Sequence, residues 1–223
     1  MDRQVDFKEL KEIEKQILKG ISLKDSFTKI KTIAAFAVTF KERKALCAGV
    51  IVDADSLGVI EQRETVTEEP MPYSPRVVAF REGPPILQTL KEFEKKPDLI
   101  LVEGFGSLHP MKVGLGNYVG VLSNKPCVAV AKELIFGGLE EDKIMVNDKV
   151  SGFAMKTKEF ANPVYMTPGH NISLETAKVL VKKWINPEFK MPYPLHVARK
   201  YLVKLKKAGA IEIGTGEMAG QEV

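Results

Sequence analysis

The sequence predicts one α/β domain on a mixed sheet, three antiparallel strands extended by parallel strands, with helices on both faces. Three observations carry this. Residues 32–66 hold three strand-like runs joined by short turns, a meander. From residue 75 onward, short apolar runs alternate with helical patterns, as parallel strands covered on both faces do. No repeat, linker or low-complexity stretch divides the 223 residues, and that length can bury one full core. Residues 1–210 are therefore expected to form a single domain, and the Gly-rich, polar residues 211–223 a frayed tail.

Taken in order, Phe7, Leu10, Ile13, Ile17 and Leu18 recur at helical spacing over residues 6–19, an amphipathic helix closed by Gly20. Residues 32–40 and 45–52 read as a strand pair about the turn Lys41 to Lys44. Folded about that turn, Ala37 faces Ala48, and Asp53 lies across from about Thr32. Residues 57–66 alternate apolar and polar like a half-exposed third strand. A helix is expected between Pro75 and Lys96, bent at Gly83-Pro84-Pro85, because proline removes a donor and crowds the preceding turn. Residues 99–102 and 126–131 are the apolar parallel strands, and 114–122 is helical between them. Residues 150–157 and 163–167 form a further strand pair, left through a turn at Thr167-Pro168-Gly169-His170. Ser173 caps a helix to Trp184. A basic amphipathic helix spans 194–207, with Leu195, Ala198, Leu202 and Leu205 on one side.

Composition narrows the class. Hydrophobic residues at 44% and charged residues at 28% fit an ordinary soluble globular protein. Lys and Arg exceed Asp and Glu by four, and the excess is local: residues 171–210 hold nine Lys/Arg against two Glu. Such a patch suits phosphate backbones, although a solvated helix face has the same look. Cys47 and Cys127 sit in apolar runs and read as buried hydrophobes in a reducing compartment. The N-terminus carries no signal-peptide pattern, and no apolar run approaches about 18 residues. A cytoplasmic protein with no membrane partner, and a monomer, is expected.

Chemistry gathers beyond the carboxyl ends of the parallel strands, where open α/β sheets bind ligands. Glu103 and Lys132 both lie there, and Glu82 sits one helix away. Paired carboxylates suit Mg²⁺, a hard ion that keeps several waters. Lys132 could neutralise developing charge, His109 could bind substrate or move a proton, and Gly104 and Gly106 let backbone approach a ligand closely. Each has a plainer reading. Acids at strand ends often cap helices or join surface ion pairs, a lysine after a strand is usually solvated, His109 before Pro110 could cap a turn, and Gly-Phe-Gly is a weak phosphate-loop signal.

Five segments, in order and at matching spacing, resemble the endonuclease V family: Pro72-Tyr73-Ser74-Pro75, Phe80-Arg81-Glu82-Gly83-Pro84, the Gly104 to Pro110 loop, Val130-Ala131-Lys132 and Pro168-Gly169-His170. The resemblance covers roughly residues 30–207. It implies an RNase H-like fold and hydrolysis of a phosphodiester near inosine in DNA or RNA, with Mg²⁺ or Mn²⁺ as cofactor. It further implies that Tyr73 is the wedge replacing an extruded base, and that Gly104, Gly106 and His109 line the base pocket. Glu82 and Glu103 would face the metal, and Lys132 the scissile phosphate.

Four departures stand against that pattern. Ala37 occupies the place of the family's metal-binding Asp, and Glu103 that of a shorter Asp. Arg76 stands where a Gly follows the wedge, and Arg199 stands for a late active-site His, with His196 one turn earlier. Asp53 cannot substitute for the missing acid, being over ~15 Å away along the sheet. The expectation is a family member with weakened catalysis. The alternatives are a protein that binds nucleic acid without cutting it, using Arg76 and Arg199 on phosphate, and a nuclease with another substrate using one metal on Glu82 and Glu103.

Overall fold

Alternation along strand β1 (Thr32–Lys41) assigns the two layers of the molecule, because successive strand residues face opposite sides. Ile33 and Ala35 enter a core with Val50, Leu101, Val128 and Trp184. Ala34 and Phe36 enter an opposite core with Ile51, Ile100, Phe80 and Val119. The computed structural model describes residues 7–75, 77–108 and 113–210. The expected tail at 211–223 lies outside them.

β1 pairs antiparallel with β2 (Lys44–Asp53), and β2 with β3 (Val59–Glu68). The register sets Ala37 opposite Ala48 and Thr32 opposite Asp53, as the turn position predicted. On the other side β1 pairs parallel with β4 (Leu99–Glu103), and β4 with β5 (Cys127–Ala131). The meander and the two parallel strands therefore form as expected. Beyond them lie β6 (Gly138–Glu140), β7 (Lys143–Val146), β8 (Lys149–Met155) and β9 (Val164–His170), giving the sheet order β3-β2-β1-β4-β5-β9-β8-β7-β6. One core holds α1 (Phe7–Gly20), α2 (Val78–Glu92) and α3 (Leu115–Ser123). The other holds α4 (Leu174–Lys183) and α5 (Tyr193–Lys207). Among the described residues no helix is long and apolar enough to cross a membrane.

The helix expected across Gly83-Pro84-Pro85 forms as α2, with the Pro84-Pro85 pair inside it. Burial of Pro85, Ile86 and Leu90 and a Thr89 hydroxyl donating back to the Pro85 carbonyl at 2.9 Å support it through the missing donors. Strands β6 and β7 were not expected, β6 being three exposed residues and β7 only four residues long. Residues 167–170 are strand, not turn. Against β5 the register jumps from Cys127–His170 to Val128–Pro168, so Gly169 is a bulge, a place where a strand tolerates proline. Both cysteines are free and buried, and burial pushes the Cys47 thiol up to about 12.

Candidate active site

β1 and β4 run parallel with Ala35 beside Leu101. Carrying that register two residues further sets Ala37, in the middle of β1, level with Glu103 at the carboxyl end of β4. There α2 and α5 flank a cleft of about 420 Å³, walled by Ala37, Thr39, Glu82, Glu103, Arg199 and Lys206. Residues far apart in sequence thus meet where an open α/β sheet binds ligands.

The two acids feel each other. Burial pushes the Glu82 carboxyl up to about 7, the charge of Glu103 pushes the same way, and the Arg81 guanidinium partly opposes both. Glu103 is also engaged from behind, with its Oε1 2.6 Å from Lys132 Nζ. The lysine reaches it because β4 and β5 are neighbours, with Glu103 paired to Val130 two residues before Lys132. Both partners of the ion pair remain about one third exposed.

No third acid completes the pair. Among the described residues, no group of three or more His, Cys, Asp or Glu is placed to hold a metal ion. Asp53 is committed elsewhere: its Oδ1 accepts from the Ser56 amide at 2.7 Å and the Ser56 hydroxyl at 2.9 Å, closing the turn after β2. The donor set therefore fits one hard cation, held by two carboxylates with water or phosphate oxygens at the other positions. It does not fit the three-acid arrangement that the family resemblance implies.

The glycine loop after β4 is explained by packing. Gly104 has φ +151°, a conformation that L side chains rarely adopt. The Gly106 amide donates to Thr167 Oγ1 at 2.7 Å, and a Cβ there would lie 2.2 Å from the Pro168 carbonyl oxygen. The Pro168-Gly169-His170 segment serves this scaffold. Buried Asn117 donates to the Gly169 carbonyl at 2.7 Å, and His170 Nδ1 accepts from the Ser22 amide at 3.3 Å. Arg76 and His109 lie outside the described residues.

Tyr73 is 65% exposed. Its ring centroid is 5.4 Å from the Arg81 guanidinium, which lies 3.6 Å over the Phe40 ring and donates from Nε to Glu69 at 2.7 Å. Arg81 therefore neighbours the wedge candidate while its charge also acts on Glu82, the next residue of α2, a position the sequence reading did not single out. Lys206 was also missed, although its spacing of seven from Arg199 places both on one stripe of α5. His196 does not take the place of Arg199: its ring stacks on Phe189, with centroids 3.6 Å apart and planes within 14°.

A family model described as Endonuclease V matches residues 15–200. The Endonuclease V of Thermofilum pendens is 37% identical over 194 residues, covering 85% of this chain and 82% of that protein. The crystal structure of the Endonuclease V from Streptomyces avermitilis aligns with a TM-score of 0.84 at 23% identity, over 93% of this chain and 96% of that one. The Ciona intestinalis Endonuclease V in complex with a 23mer DNA containing an inosine followed by a ribo-adenosine aligns with a TM-score of 0.79 at 26% identity, over 92% of this chain and 100% of that one. The fold is the RNase H-like one that the sequence resemblance implied.

Proposed function

Because this chain belongs to the Endonuclease V family, we propose that its cleft binds inosine-containing DNA or RNA and hydrolyses a nearby phosphodiester slowly, with Mg²⁺ or Mn²⁺ held on two carboxylates. The observation that supports this most is the meeting of Glu82 and Glu103 in one cleft at the strand ends, beside Ala37. Burial, with the charge of Glu103 added to it, keeps a proton on Glu82 up to about pH 7, so a divalent cation would find a site that gains from its charge. When bound, the cation supplies charge neutralisation at the phosphate and a more acidic water.

The chain's own groups divide the remaining work. Tyr73, exposed beside Arg81, stacks into the gap left by an extruded base, since a modified base edge is hard to read inside a duplex. Gly104 and Gly106, with His109 further along the same loop, shape the pocket for that base. Lys132 holds the Glu103 carboxylate and adds positive charge behind the scissile phosphate. Arg199, with Lys206 beside it and Arg76 after the wedge, takes phosphate oxygens; guanidinium groups suit this role through their planar fork. A missing metal ligand costs more than the roughly 10- to 100-fold lost when a supporting partner is removed, so hydrolysis is slow.

A second reading, binding without cleavage, is favoured by the 2.6 Å Lys132–Glu103 ion pair and by Arg199 in the cleft wall. Cleavage assays on inosine-containing DNA and RNA, with Mg²⁺ or Mn²⁺, separate the two. Slow cleavage by the native protein, abolished in Glu103→Ala and raised in Ala37→Asp, supports slow hydrolysis. Binding without cleavage by both native protein and Ala37→Asp supports the second reading. Cleavage by the native protein at rates typical of an enzyme overturns the weakening assigned to Ala37.

A further inference from the structure

Phe189 and the first turn of α5 carry an aromatic cluster that the cleft does not use. The Phe189 and His196 rings stack at 3.6 Å, and Tyr193 lies 6.1 Å from Phe189 and 6.4 Å from His196. All three residues are half-buried, so the cluster is not sealed from solvent. The cluster sits in the basic region: Lys190 lies within it, Arg199 and Lys200 follow it, and Glu188, directly before it, is the one acid between residues 176 and 210.

Its place relative to the cleft follows from helix geometry. Arg199, Val203 and Lys206 line the cleft and form one stripe of α5 at spacings of four and three. His196, three residues earlier, continues that stripe toward the N-terminus, about 4.5 Å along the axis beyond Arg199. A strand whose phosphate rests on Arg199 and that runs toward the N-terminus of α5 would bring a base beside the stacked rings.

We propose that the Phe189–His196 stack is a docking platform for a nucleobase of single-stranded nucleic acid, adjoining the phosphate-binding wall of the cleft. The proposal rests on the nucleic-acid reading of the cleft and adds a second contact to it. Aromatic faces accept any base, because every base has a π-face. The lysines and Arg199 around the stack hold the backbone while the base lies on the rings, the combination that single-strand binding surfaces use. The platform grips a neighbouring base without selecting it, leaving selection to the pocket that holds the extruded one.

The probe is a short single-stranded oligonucleotide carrying one inosine and one 2-aminopurine, moved position by position along the strand. With the native protein, 2-aminopurine fluorescence is expected to be quenched by stacking at one position beside the inosine. In His196→Ala that quench disappears and affinity falls about 5- to 100-fold, whereas His196→Phe keeps both. Unchanged affinity and quench in His196→Ala, with only a lowered melting temperature, would overturn the proposal and leave the stack a clamp for the loop. If Arg199→Ala with Lys206→Ala loses affinity while His196→Ala does not, the cleft reading survives and the platform fails. If the double variant binds as the native protein does, the cleft reading itself fails. No binding by the native protein overturns both.

Discussion

Lys132 Nζ lies 2.6 Å from Glu103 Oε1, so the carboxylate best placed to hold a cation is already paired with an amine. The pair is about one third exposed, and such ion pairs contribute roughly 0.2–1 kcal/mol. A divalent ion at Glu103 shares or displaces that lysine. Replacing Lys132 with Met should therefore raise Mn²⁺ affinity by about two- to fivefold. Titration calorimetry with Mn²⁺ checks this, and lower affinity in the variant would show that Lys132 supports cation binding.

Ala37→Asp places a third carboxylate level with Glu103 and close to Glu82. Without a cation, the added like charge should lower stability by about 1 kcal/mol or more, since like charges in a partly buried cleft repel. With Mn²⁺ the sign should reverse, because ligands that bind only the folded state stabilise it by mass action. Thermal melts of native protein and variant, with and without Mn²⁺, read both effects. Equal Mn²⁺ shifts in the two proteins would mean that Ala37 is not at the cation position.

Much of this was legible in the sequence because the relevant patterns are local. The turn at residues 41–44 fixed the register that puts Ala37 opposite Ala48, and the apolar runs at 99–102 and 126–131 marked the parallel strands. Strands β6 and β7 were not legible, since Gly138-Leu139-Glu140 is wholly exposed and carries no buried face to pattern. Residues 167–170 carry turn-forming types, and only pairing with β5 makes them a strand with a bulge at Gly169. In the cleft, Glu82 and Glu103 stood out as acids near glycines. The role of Arg81 was hidden, because Phe40, Glu69 and Tyr73 come together around it only in the folded chain.

Glu82 makes stability depend on pH. Its folded value, about 7, is above the ordinary 4.5. Below about 4.5 both folded and unfolded chains hold the proton. Between 4.5 and 7 the unfolded chain releases it and the folded chain keeps it, so stability falls as pH rises through that window and then levels off. The full difference is at most about 3 kcal/mol, reduced where water reaches this half-buried side chain. Glu82→Gln should remove this group's contribution, melting at a higher temperature than the native protein at pH 8 and nearly the same at about pH 4. Parallel melting curves for the two proteins at every pH would mean that Glu82 is ordinary.

Arg81 lies beside Tyr73 and its charge acts on Glu82, and its planarity matters as much as its charge. The guanidinium lies flat enough to sit 3.6 Å over Phe40 while two of its nitrogens reach one Glu69 oxygen, at 2.7 and 2.6 Å. Lysine keeps the charge but offers neither the flat face nor the fork. Arg81→Lys should therefore cost about 1–2 kcal/mol of stability through the lost stacking and the weakened ion pair. It should also loosen Tyr73, whose ring centroid lies 5.4 Å from that guanidinium. If Tyr73 acts as a wedge, the variant extrudes an inosine less completely, seen as weaker fluorescence of a 2-aminopurine placed opposite or beside it in a duplex. Tyr73→Ala should reduce that signal at least as much while leaving the melting temperature unchanged. A normal extrusion signal in Arg81→Lys, beside a lost one in Tyr73→Ala, would leave the wedge in place and free it from Arg81.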